Sequence, residues 1–90
     1  MEFEWDEHKA AANLAKHGVG FDVAIRVFDD PFRVSVLSPA KDHGETREVT
    51  IGTVDGAQIL AVVHTDRNGI TRIISARPAS RKERRKYHGK

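Results

Sequence analysis

At Asp29-Asp30-Pro31 the apolar residues change from the spacing of a helix to the spacing of a strand, so no single element can run across that point. Before it, Asp6 offers an N-cap, Ala10, Ala11, Leu14 and Ala15 give an apolar helical face, and Gly18 stops the run. That pattern predicts a helix over Glu7 to His17. Phe3 and Trp5 leave room for a short leading strand. Lys9, Asn13, Lys16 and His17 fall within an arc of about 100° on the helical wheel, which makes a basic stripe beside the apolar face. Phe21, Val23, Ala24, Val27 and Phe28 predict a second helix, with Gly20 as a weak N-cap.

Past Pro31 apolar residues alternate. Arg33 to Ser38 suits an edge strand, and Pro39 to Gly44 a long loop. Val49 to Val54 is joined through Asp55-Gly56 to a strand from Gln58 to Thr65, and Asn68-Gly69 leads to a last strand over Thr71 to Arg77. Ile59 to Val63 is apolar on both faces and suits the centre of the sheet. Pro78 ends the last strand, and Ser80 with Glu83 forms a capping box that starts a basic helix at Arg81. The expected fold class is α+β. Two helices, a four-stranded antiparallel meander and a short C-terminal helix follow in order, with the helices on one side of the sheet.

Ninety residues suffice for one domain over 1–90 and leave no room for a second. The longest apolar run, Ile59 to Val63, is far short of a membrane span, and the acidic MEFEWDE start lacks the features of a signal peptide. The expected compartment is the cytoplasm. The absence of cysteine agrees with it and removes thiol chemistry. Charge is unevenly placed: the last nineteen residues, from Arg72, carry eight lysines and arginines against the single acid Glu83, whereas the rest of the chain is net acidic. Such a basic end concentrates polyanions, RNA and DNA foremost.

The five histidines are scattered without ligand spacing, and no glycine-rich phosphate loop or GxSxG elbow is present. No metal or cofactor is therefore expected. What remains is Arg72 and Arg77 around the last strand, His64 closing the neighbouring strand, Tyr87 in the last helix, and Glu45 and Arg47 at the beginning of the third strand. These types suit metal-free RNA cleavage, which needs a base for the 2′-OH, cations for the phosphorane and an acid for the leaving 5′ oxygen. Each also has a structural alternative: His64 as a hydrogen-bonded core residue, the arginines as partners of acids such as Asp66 or Glu48. Strict alternation further sets Arg72 and Arg77 on opposite faces of their strand.

Three stretches carry a resemblance: WDxxKxxxNxxKHGVxF (Trp5 to Phe21), GExR (Gly44 to Arg47) and RIISARxAxxxER (Arg72 to Arg84). In these the chain resembles the BrnT family of toxins over nearly its whole length. The resemblance implies a RelE-like α+β fold, endoribonuclease activity that inhibits translation, and a BrnA antitoxin bearing a DNA-binding domain, with which the toxin represses its own operon at operator DNA. Carried over, it points to Arg72, Arg77 and Arg47 as phosphate ligands and to His64 or Tyr87 as proton-transfer groups. It points to Lys9, Lys16, His17, Arg81 and Arg84 as RNA contacts, the RNA being free or on the ribosome. The competing class is a non-catalytic nucleic-acid-binding or co-repressor subunit, whose basic helix only positions phosphate.

Overall fold

A computed structural model describes residues 1–38 and 46–89. The loop expected at 39–44, Gly44 and Glu45 of the middle motif, and Lys90 lie outside the described residues. The elements are β1 (Glu2–Glu4), α1 (Glu7–His17), α2 (Phe21–Ala24), a 3₁₀ helix (Ile25–Asp29), β2 (Val34–Leu37), β3 (Glu48–Val54), β4 (Gln58–Arg67), β5 (Ile70–Pro78) and α3 (Arg81–His88).

Five strands form one sheet in the order β1-β5-β4-β3-β2. Strands β2 to β5 make the expected antiparallel meander, with β4 at its centre. The leading segment is a fifth strand, paired parallel to β5 with Phe3 opposite Thr71. Both turn pairs, Asp55-Gly56 and Asn68-Gly69, take the positive φ that tight hairpins require.

The second helix departs from the expected continuous α-helix. It tightens to 3₁₀ after Ala24, across a run in which the β-branched Val23, Ile25 and Val27 crowd the helical turn. The apolar face expected for α1 also differs. Its one buried residue is Asn13, while Ala11, Leu14 and Ala15 are exposed, Leu14 by 54%. Asn13 decides the orientation because its amide replaces a strand. It donates to the Ala76 carbonyl at 2.7 Å and accepts from the Ala76 amide at 3.1 Å, on the stretch of β5 that β1 does not reach. A third bond, to the Val19 carbonyl at 3.0 Å, ties in the start of α2. Lys9 and Lys16 are exposed beside it, so a buried amide interrupts the expected basic stripe.

The helices do not share one side of the sheet. Phe21, Ala24 and Val27 pack on Leu60, Val62, Ile73 and Ala76 on one face. On the other face Val49, Ile51 and Ala61 meet Ala79 and Tyr87, which places α3 opposite α1 and α2. The reason is local. The Ala79 amide bonds the Ile59 carbonyl at 2.9 Å, and Ala79 and Tyr87 are the apolar groups by which this cationic segment can be anchored. On the helix side Gly52 allows the 3₁₀ helix to come close, since a Cβ there would lie 3.2 Å from the Val27 carbonyl oxygen and 3.3 Å from its Cβ. Gly52→Val is expected to destabilise the protein by about 1–3 kcal/mol through overpacking, read as a shift of the urea midpoint.

Candidate active site on the sheet face beneath the basic helix

Strands β4 and β5 pair regularly from Leu60 opposite Pro78 to Val63 opposite Ser75, and then His64 lies opposite Ile73. Ile74 is therefore an extra residue, a bulge that shifts the alternation of β5 by one. Ile73 and Ala76, three positions apart, both enter the core on the helix side. Arg72 and Arg77 consequently share the opposite face, the one that carries α3. Arg47 stands in register with Ser38, whose amide bonds its carbonyl at 2.8 Å, and alternation from Val49 places it on this face too.

Arg77 lies against Glu83 in a two-pronged pair, Nη1 to Oε1 at 2.6 Å and Nη2 to Oε2 at 3.0 Å. Glu83 also accepts from the Ser80 amide at 2.9 Å, completing the capping box, so one carboxylate both starts α3 and orients the guanidinium. The hydrogen bonds from Arg77 and Ser80 outweigh burial and hold Glu83 at about 2. The same pair raises Arg77 above its usual value, so its charge is permanent. Arg72 makes a single-pronged pair with Glu4 of β1, Nη1 to Oε2 at 3.0 Å.

The far end of α3 is anchored by Tyr87, whose hydroxyl donates to Asp30 Oδ2 at 2.6 Å. Asp30 is buried and also accepts from the Thr53 amide at 2.9 Å, the Thr53 hydroxyl at 3.0 Å and the Phe32 amide at 2.9 Å. Burial by itself would raise this carboxyl. The four hydrogen bonds overcome that and bring it down to about 2. Between α3 and the sheet runs a trough of about 370 Å³ with Val36, Val49 and Val63 on its floor and Arg77, Lys82 and Lys86 on its wall.

The other predicted residues fall elsewhere. His64 is 4% exposed and belongs to the helix side, where its ring meets Phe28 edge-on with centroids 5.0 Å apart. Its Nε2 lies 2.7 Å from Thr50 Oγ1, which in turn lies 2.7 Å from Ser35 Oγ, and its Nδ1 has no hydrogen-bond partner among the described residues. Burial lowers its pKa against the opposing pull of Glu48 and Asp66, which favours the neutral ring. Arg81 and Arg84 are exposed on α3, while Lys9, Lys16 and His17 sit on α1, across the sheet from them.

The structure thus gathers Arg72, Arg77, Arg47, Tyr87, Arg81 and Arg84 on one side and separates His64 and the α1 cations from them. Four contributors went unrecognised in the sequence. Lys82 and Lys86 were visible as an i, i+4 pair on a capped helix, and Glu83 stood out only as a cap. Asp30 stood out only as a helix stop, and nothing local to it signals Tyr87, 57 positions away.

Residues 5–83 match the profile of a protein family described as ribonuclease toxin, BrnT, of type II toxin–antitoxin system. The fold is similar to the 1.1 Å crystal structure of the Brucella abortus ribonuclease toxin BrnT, with 30% sequence identity, a TM-score of 0.66, and coverage of 90% of this chain and 99% of that one. No curated protein sequence matches the chain significantly. With the family profile covering most of the sequence and the fold shared with a solved member, this chain belongs to the BrnT family of ribonuclease toxins of type II toxin–antitoxin systems.

Proposed function

We propose that the protein is a metal-independent endoribonuclease that arrests translation by cleaving RNA, free or on the ribosome, in the cytoplasm. The observation that supports this most is the β5 bulge, which brings Arg72 and Arg77 to the face of the sheet that also carries a helix of exposed cations. In the proposed reaction the 2′ oxygen attacks the adjacent phosphorus, the bond to the 5′ oxygen breaks, and one proton leaves the 2′-OH while another reaches the 5′ oxygen. Arg77 binds the phosphate, since Glu83 engages two of its five N–H donors and fixes its plane. Arg72 and Arg47 contact flanking phosphates, and Arg81, Arg84, Lys82 and Lys86 draw in the backbone. The α1 cations serve RNA long enough to pass the sheet edge.

Neither proton-transfer candidate acts as a strong acid or base in this scheme. His64 is buried on the far face, and Tyr87 donates to a carboxylate that opposes its ionisation, raising its pKa. Tyr87 is a positioning group that anchors α3, His64 is a core residue, protons are exchanged with solvent, and the cations supply the rate enhancement. Slow cleavage of free RNA, or dependence on the ribosome, follows. A BrnA-like antitoxin with a DNA-binding domain neutralises the protein, and the pair represses its own operon at operator DNA.

One observation favours the non-catalytic alternative: both arginines are already ion-paired. Incubating the purified protein with RNA in EDTA separates the two. A catalyst is expected to yield fragments with 2′,3′-cyclic phosphate and 5′-hydroxyl ends. Intact RNA, bound with a steep salt dependence on the ribosome and off it, would instead mark a binding module.

A further inference from the structure

We propose that the trough beside α3 and the edge strand β2 together receive an extended segment of the neutralising partner protein. The segment joins the sheet beside β2, with apolar side chains in the trough and acidic ones against Lys82 and Lys86. The proposal rests on membership in a family whose toxins work with an antitoxin, and it names where and by what chemistry that partner holds this chain.

The sheet face under α3 is only partly covered. Its floor is aliphatic, yet Val36 and Val63 remain half-exposed, and α3 buries none of its own residues. Strand β2 is also ready to pair. The Ser38 amide bonds the Arg47 carbonyl at 2.8 Å, and in that register Val36 faces Val49 and Val34 faces Ile51 as hydrogen-bonded pairs. Ser35 and Leu37 therefore turn their amides and carbonyls outward, and no strand among the described residues meets them. The strand reads VSVL, without the lysine, proline or bulge that commonly guards an edge, and the Leu37 side chain is 69% exposed.

Charge and surface chemistry select the occupant. Lys82 and Lys86 line the wall, and the acid that lines the trough with them, Glu83, is engaged by Arg77, so the trough favours an anionic guest. Single-stranded RNA is anionic but rests its bases on aromatic rings, and this floor is valine and isoleucine. A strand that carries both apolar and acidic side chains at every second residue, and so on one side, meets the floor, the wall and the open edge at once, as in β-augmentation. Occupying that position also blocks the approach to Arg77.

Amide hydrogen exchange of the complete protein, alone and bound to its cognate antitoxin, tests this. The Ser35 and Leu37 amides are expected to exchange rapidly in the free protein and to become protected in the complex. Leu37→Pro deletes one outward N–H at an edge that tolerates proline, so it should weaken antitoxin binding by about tenfold or more while RNA cleavage by the free protein is unchanged. A complex in which both amides still exchange freely would overturn the proposal. So would wild-type affinity in Leu37→Pro, failure of the antitoxin to bind, or protection of these amides by RNA instead. A protein that binds antitoxin in this way but cleaves no RNA would refute the ribonuclease mechanism and leave the docking site standing.

Discussion

Arg77→Ala is expected to lower RNA cleavage by about 100- to 1,000-fold, the loss typical of removing one preorganised donor from a developing negative charge. RNA affinity should change little, because the exposed cations of α3 remain and phosphate contacts there are many and individually weak. Glu83 is left without its guanidinium in this variant and would repel phosphate, so Arg77→Ala/Glu83→Gln belongs beside it. The same deficit in both variants assigns the loss to Arg77 itself. Arg77→Lys should recover part of the rate, since it restores the charge and not the planar fork. Single-turnover cleavage at saturating protein reads all three. A loss that instead follows affinity and salt slope, with no single residue decisive, would make the protein a binding module.

Asp30→Ala is expected to cost about 2–4 kcal/mol, roughly 10–25 °C in Tm for a chain of this size. The substitution takes away the shared acceptor of the Tyr87 hydroxyl, the Thr53 amide and hydroxyl, and the Phe32 amide, all at a buried position. Tyr87→Phe removes one of those bonds at a half-buried site and should cost about 1 kcal/mol. Acid provides a second check. Asp30 and Glu83 both sit at about 2 in the folded protein, below ordinary values of 3.8 and 4.5. A carboxyl depressed by folding stabilises in full above its unfolded pKa, and that stability is lost as pH falls through the folded pKa. Unfolding free energy should therefore decline from about pH 4.5 towards pH 2, and Asp30→Ala should show a shallower decline. Equal slopes in the two proteins would sink the assignment.

How much of this was legible depends on the range of each signal. The Asp6 cap of α1, the two hairpin turns and the Ser80–Glu83 box are written within a few residues, and each lies where its residues suggest. The β5 bulge is not written so. RIISAR offers ordinary alternation through Ile73 and Ser75, and the slip appears only when β5 must match β4 on one side and the helix core on the other. The side taken by α3 and the inward turn of Asn13 likewise depend on partners tens of positions away. For the candidate site, the residue types were readable and their grouping was not. Alternation alone would have parted the two arginines that the fold unites, and nothing in the sequence placed His64 on the wrong side of the sheet for them.

The amide of Asn13 has one more consequence. By occupying the backbone of Ala76 it closes the outer margin of β5 where the three-residue β1 has already ended. The two margins of the sheet are thus unlike, one stoppered and one open. Copies of the chain cannot stack margin to margin without limit, because the open side of one molecule finds no long complementary side on the next. Strand addition at β2 thus finds no equally long open margin from which to continue at the other end of the sheet, where β1 is three residues long and Asn13 holds the backbone of Ala76.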